Sequence, residues 1–111
     1  MTTRLTIRLD FEAGRRLGAG KVALLESIDR TGSISAAGRA QGMSYRRAWL
    51  LVEDVNTTFA GRLVHAQAGG RSGGRAVLTD LGEDVLATYR EAERSAAALP
   101  GLGALAARLT P

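Results

Sequence analysis

Gly32-Ser33-Ile34-Ser35-Ala36-Ala37-Gly38-Arg39-Ala40-Gln41-Gly42-Met43-Ser44-Tyr45-Arg46-Arg47-Ala48-Trp49 is the stretch on which the fold turns. Ser33 or Ser35 is a good N-cap, because a short hydroxyl side chain accepts a free N–H of the first helical turn. The body that follows, Ala36 to Ala40, is mostly small, which lets another helix cross at close range. Gly42 breaks it, Met43 is apolar in the turn, and Ser44 is a good N-cap for the next helix. Two helices joined by so short a Gly-containing turn form a helix-turn-helix.

The chain on either side fits that reading. Val22, Leu25 and Ile28, with Leu24, recur at helical spacing between Lys21 and Arg30 and predict a first helix that ends at Thr31-Gly32. The helix opened by Ser44 is expected from Tyr45 to Phe59. At ~100° per residue, Ala48, Val52, Val55 and Phe59 share one side, flanked by Leu51, while Arg46, Arg47, Leu50, Glu53, Asp54 and Thr57 lie opposite. Upstream, Leu5 to Phe11 alternate with period two and read as a half-buried strand with Leu5, Ile7, Leu9 and Phe11 on one face. A loop with Gly14, Gly18 and Gly20 follows it.

Downstream, strands are expected at Arg62–Ala66 and Ala76–Leu78. Between them lies Gly69-Gly70-Arg71-Ser72-Gly73-Gly74-Arg75, so the segment predicts a β-hairpin with a long tip, a wing. Thr79 or Asp80 caps a last helix of nearly twenty residues, which Pro100-Gly101 stops. Leu102, Ala104, Leu105 and Leu109 make a weak amphipathic tail. The expected fold class is therefore α+β, mostly α: a winged helix-turn-helix with an N-terminal strand, a Gly/Arg-rich hairpin and a long C-terminal helix. One domain covers 1–111: strand and loop at 1–20, reading core at 21–59, wing at 62–79, dimerisation helix at 80–99 and tail at 100–111.

Composition narrows the chemistry. The 111 residues hold no Cys and one His, and carry a net charge of +4. That excludes disulfides, a thiolate zinc site and a Cys nucleophile. No cofactor or metal is expected. His65 reads as a strand residue near the surface. No paired carboxylates stand in a pocket-forming context, so an enzyme is not expected. No apolar run reaches membrane-span length and no signal-peptide pattern follows Met1, so the expected setting is cytoplasmic and away from membranes. The charge is unevenly placed: residues 1–75 hold twelve basic against six acidic side chains, and residues 76–111 three against five. A basic front half suits an anionic partner.

Double-stranded DNA is that expected partner. A major groove about 12 Å wide admits one helix, and the N-terminal turn of that helix meets the base edges. Here this turn is Ser44-Tyr45-Arg46-Arg47. Arg46 and Arg47 suit bidentate contact with guanine, and the capped helix start with Ser44 suits a phosphate. Ser33, Ser35 and Arg39 of the preceding helix are further DNA-binding candidates, with Arg39 open between a phosphate contact and a solvated charge. Tyr45 is equally open between a phosphate contact and packing. Trp49 is expected to pack at the margin of the apolar stripe, under the wing. Arg71, Ser72 and Arg75 on the Gly-rich tip can approach phosphates or a neighbouring groove.

The run Gly32 to Ala37, the element Gly42-Met43-Ser44-Tyr45-Arg46-Arg47-Ala48-Trp49 and the wing ending Ala76-Val77-Leu78-Thr79 resemble the winged-helix domain of ModE-type molybdate-responsive regulators. The helix-turn-helix alone is also similar to LysR-type DNA-binding domains. The resemblance covers about residues 20–95. It implies operator binding as a homodimer, paired through the N-terminal strand region and the last helix. The periodic stripe Leu81, Val85, Tyr89, Ala92, Ala96 and Leu99 supplies a face for pairing. In the family, molybdate is bound by C-terminal domains for which 111 residues leave no room, so no molybdate site is expected on this chain. The competing reading is a dimeric winged-helix adaptor that binds protein and not DNA. It would call for a recognition face without Arg.

Overall fold

The computed structural model describes residues 3–67 and 74–111. Strand β1 (Arg8–Asp10) pairs antiparallel with β2 (Arg16–Gly18), with Leu9 opposite Leu17. A 3-10 turn (Glu12–Gly14) joins them, its Ala13 and Gly14 both at positive φ. This corrects two expectations. The strand read over Leu5–Phe11 is only three residues long, and the supposed Gly loop contains its returning partner. Leu17 is buried, Leu5 and Ile7 of the expected face are half-buried, and Leu9 and Phe11 stay exposed, so only the first half of that face is covered. Phe11 instead meets Phe59 edge to face, with centroids 5.6 Å apart.

Helix α1 (Ala19–Thr31) starts slightly ahead of the expected Lys21 and so takes in Gly20. It buries Val22, Leu24, Leu25 and Ile28. Gly32, at φ 71°, closes it by donating its N–H to the Ile28 carbonyl at 2.8 Å. That left-handed cap is cheap only for glycine. Helix α2 (Ile34–Ala40) opens with the Ser33 hydroxyl accepting from Ala36 N, which decides between the two serines. Gly38 faces α3 (Tyr45–Thr58) so closely that a Cβ there would sit 3.0 Å from the Ala48 Cβ. The small-residue run of α2 thus allows the close crossing expected of it. Ser27, buried on α1, accepts from Gln41 Nε2 at 2.7 Å and locks the end of α2 onto α1.

Strands β3 (Val64–Gln67) and β4 (Arg75–Leu78) form the hairpin, with Val64 opposite Leu78 and Gln67 opposite Arg75. Ala76 and Leu78 turn inward and Arg75 and Val77 outward. The Ala76 N–H also bonds to the Gly32 carbonyl, which fixes the hairpin to the end of α1. Helix α4 (Asp80–Ala97) is capped by Thr79, whose hydroxyl accepts from Gly82 N at 3.0 Å. Asp80 and Glu83 in its first turn complement the helix dipole.

Two further corrections concern the C-terminal part. Pro100 begins a helix, α5 (Pro100–Ala106), where an amphipathic tail was expected. Proline suits the first helical position, whose N–H has no partner in any case. Tyr89, expected on a pairing face, is 1% exposed, and its hydroxyl donates to the Ile7 carbonyl at 2.6 Å. It belongs to the chain's own core with Leu86, Leu63 and Val64. Burial pushes the Tyr89 phenol above its ordinary range.

Candidate nucleic-acid interface

Three elements place the expected DNA-facing residues. Ser44 caps α3 by accepting from Arg47 N at 3.1 Å, leaving the helix start open to solvent. Tyr45, Arg46 and Arg47 are exposed on its first turn. Among the described residues, neither guanidinium of Arg46 and Arg47 forms an ion pair. The same holds for Arg39 on α2 and Arg75 on β4. Further down α3, Asp54 is paired with Lys21 of α1. The positive charge at the helix start therefore faces outward uncompensated.

Between α2, α3 and the hairpin lies a cleft of about 440 Å³. Ser33, Ser35 and Arg39 line one side, Tyr45 and Trp49 another, and Gln67, Gly74 and Arg75 the hairpin side. Five of the expected DNA-binding residues are thereby brought to one hollow, with Arg46 and Arg47 on the adjoining turn. Trp49 is half-buried against the core and packs edge to face on Tyr45, with ring centroids 6.2 Å apart. It sits at the stripe's margin beside the hairpin, as the helical angle implied. Arg71 and Ser72 lie outside the described residues. His65 is exposed on β3, and among the described residues no group of three or more His, Cys, Asp or Glu could hold a metal. No described helix is long and apolar enough to cross a membrane.

One positioning residue escaped the sequence reading. Asn56 on α3 uses Oδ1 to accept from both Leu63 N (2.8 Å) and Val64 N (2.9 Å). Its Nδ2 donates to the Val64 carbonyl at 3.2 Å. The amide thus mimics a neighbouring strand and holds the root of the hairpin against the helix. Its only signal in the sequence is an Asn next to the apolar stripe, eight residues before the first strand residue it binds.

The remaining sites divide differently. On α4, Val85 is half-buried against the core, Ala96 is half-buried, and Leu81 and Ala92 are exposed, as is Leu99 just before α5. Leu99 is 60% exposed, as much as Leu105 and Leu109 in and after α5. Arg90 grips Glu26 of α1 through two nitrogens at 3.0 and 3.1 Å and also bonds Glu93, which fixes α4 on the core.

A helix-turn-helix followed by a two-stranded hairpin and a long helix defines a winged-helix protein. A solved MarR family transcription regulator has a similar fold, with a TM-score of 0.63 over 78% of this chain and 58% of that one, at 22% identity. No protein-family model matches the chain. Sequence relatives are more specific. The chain is 50% identical over 86 residues to the molybdenum-pterin-binding protein MopB of Rhodobacter capsulatus. It is 40% identical over 85 residues to the molybdenum transport protein ModE of Azotobacter vinelandii. These matches take in 78% and 77% of this chain and 32% of each relative. The DNA-binding transcriptional dual regulator ModE of Escherichia coli is 36% identical over 69 residues, which are 62% of this chain and 26% of that protein. The chain carries the N-terminal winged helix-turn-helix of the ModE-type regulators, and spans about a third of the length of the relatives it matches.

Proposed function

We propose that this chain is a sequence-specific DNA-binding transcriptional regulator that acts as a homodimer on a palindromic operator. The observation that carries the reading is the start of α3: a capped, exposed turn bearing unpaired Arg46 and Arg47 beside a cleft rimmed by Arg39 and Arg75. The helix start enters the major groove, Arg46 and Arg47 read base edges, and Ser33, Ser35, Arg39, Ser44 and Tyr45 meet the backbone. Arg75, with Arg71 and Ser72 of the wing, extends the contact to the neighbouring groove. The name of the Escherichia coli relative supports DNA as the partner, and that of MopB concerns a molybdenum pterin. The part shared with these longer proteins is the winged helix, and DNA is the ligand we assign to it.

Pairing through α4 is supported by shape and surface. The Cα radius of gyration is 16.3 Å, against ~13 Å for a compact chain of this length. Leu81, Val85, Ala92, Ala96 and Leu99 form the pairing face, continued by Leu9 of β1 and by Phe11 just after it, while Tyr89 serves the core beneath. Two-fold symmetry then sets half-sites roughly one or two DNA turns apart.

The test is selection of genomic fragments by the purified chain, followed by affinity measurements over a salt series. A specific regulator binds the recovered fragment far more tightly than its shuffled sequence, and log K falls steeply with log salt. Equal binding to the shuffled duplex at physiological salt refutes sequence-specific regulation. A monomer at micromolar concentration by light scattering refutes the pairing.

A further inference from the structure

We infer that Leu50 is a specificity-determining residue that packs against a thymine C5-methyl group in the major groove. The inference rests on the DNA-reading role of α3 and names a base that this helix selects. Leu50 is 53% exposed, although it lies in the middle of a helix whose other aliphatic side chains, Ala48, Leu51, Val52 and Val55, are buried or half-buried. A lone exposed leucine is ordinary on a protein surface. This one is placed where a ligand must pass. At ~100° per residue it falls about 40° from Arg46 and 60° from Arg47, between the two in angle and one turn further along. Below it come Glu53 and Asp54, the latter paired with Lys21.

The chemistry of the groove selects the contact. A leucine has no donor or acceptor, so it discriminates only through an apolar partner. Base edges in the major groove offer donors, acceptors and, on thymine alone among the four ordinary bases, a methyl group. Phosphates offer it nothing. Leu50 stands ~6 Å along the helix axis from Arg46, and base pairs step by ~3.4 Å. The thymine therefore lies within about two base pairs of the guanine that Arg46 reads.

The experiment uses the full chain. An operator is selected from a pool of random-sequence duplex DNA, the base pair read by Arg46 is located with Arg46→Ala, and each nearby thymine is replaced in turn by uracil. That substitution deletes one methyl and no hydrogen bond. One buried methyl corresponds to about fourfold in affinity. We expect wild type to lose about fourfold at one such thymine, and Leu50→Ala to bind the thymine and uracil forms equally, with unchanged salt dependence and melting temperature. A residue of merely structural importance would not alter the thymine-to-uracil ratio. Wild type indifferent to every nearby replacement, or Leu50→Ala with the full preference retained, overturns the assignment. Failure of the pool to yield any enriched sequence overturns the DNA-reading function itself, and the role of Leu50 with it.

Discussion

Asn56→Ala is the most exacting test of how the reading helix and the hairpin are joined. The substitution removes one acceptor that serves two backbone N–H groups and one donor to a carbonyl. Leu63 and Val64 are both 0% exposed, so the freed groups cannot turn to bulk water. Each orphaned buried group costs about 1–3 kcal/mol. Three of them, reduced by local relaxation and by a water entering the vacated space, give a loss of about 3–4 kcal/mol. That is a large share of the ~5–15 kcal/mol by which domains are stable. Urea titration followed by far-UV circular dichroism and by fluorescence of Trp49, the single tryptophan, measures it. With a slope of ~1.5 kcal/mol/M, the midpoint falls by about 2 M. Asn56→Asp keeps the acceptor for both N–H groups but sets a carboxylate against the Val64 carbonyl, so it falls between wild type and Ala. An Ala variant within ~1 kcal/mol of wild type refutes the account of Asn56 as the tie between α3 and the hairpin.

Gly82→Ala places a methyl against the Leu63 carbonyl, whose carbon would lie 3.0 Å from the new Cβ; overpacking outweighs the ~1 kcal/mol of helix propensity gained, and thermal melts show a net loss of about 2 kcal/mol. An Ala variant as stable as wild type contradicts the packing. Arg75→Ala weakens operator and shuffled DNA alike and lowers the salt slope by about one, whereas Arg46→Ala costs about 1–3 kcal/mol on the operator and little on shuffled DNA; fluorescence anisotropy across a salt series separates the two, and the opposite pattern reverses the roles. Glu83 titrates above its ordinary 4.5, raised by a hydrogen bond with Asp29, by burial and by the charges of Asp29, Asp80 and Asp84. A raised carboxyl stabilises the fold below its unfolded value, and that contribution is lost as pH rises through the folded value. Denaturation from about pH 4 to 7 should therefore show Glu83→Gln gaining on wild type as pH rises, and a constant difference counts against it.

What could be read from the sequence was what single residues decide. Ser44 had to cap because a hydroxyl before a helical stripe satisfies a free N–H, and the structure has it accepting from Arg47. Of the two candidate caps before α4, Thr79 does the same, and Gly32 ends α1 in the left-handed conformation that its lack of a side chain permits. The sequence marked Ser33, Arg39, Tyr45 and Arg75 one by one, and the structure adds that they line one cleft. What stayed hidden depends on pairing between distant segments. Two strands of three residues, Arg8–Asp10 and Arg16–Gly18, are too short to show a period. A helical stripe containing Tyr89 looks the same whether it faces a partner or the chain's own core, and only the contact with Ile7, 82 residues away, decides. Asn56 is polar in every pattern and reveals its role only when a strand end arrives beside it.

These hidden contacts converge on Leu63, and that convergence bears on function. Its N–H is taken by Asn56 of α3, its carbonyl accepts from Thr79 N at the start of α4, and Gly82 of α4 packs directly on that carbonyl. Reading helix, hairpin and long helix are therefore all tied to one buried residue. In a dimer paired along α4, no flexible joint intervenes between the pairing face and the reading turn. The separation of the two reading turns is then set by this junction, and so is the half-site spacing of the operator. A one-base-pair insertion between half-sites shifts one by ~3.4 Å and rotates it by about 35°, and neither can be absorbed by a hinge. Such an operator should bind as weakly as a single half-site. Retained affinity would mean that α4 bends away from the Leu63 junction, or that pairing uses another face.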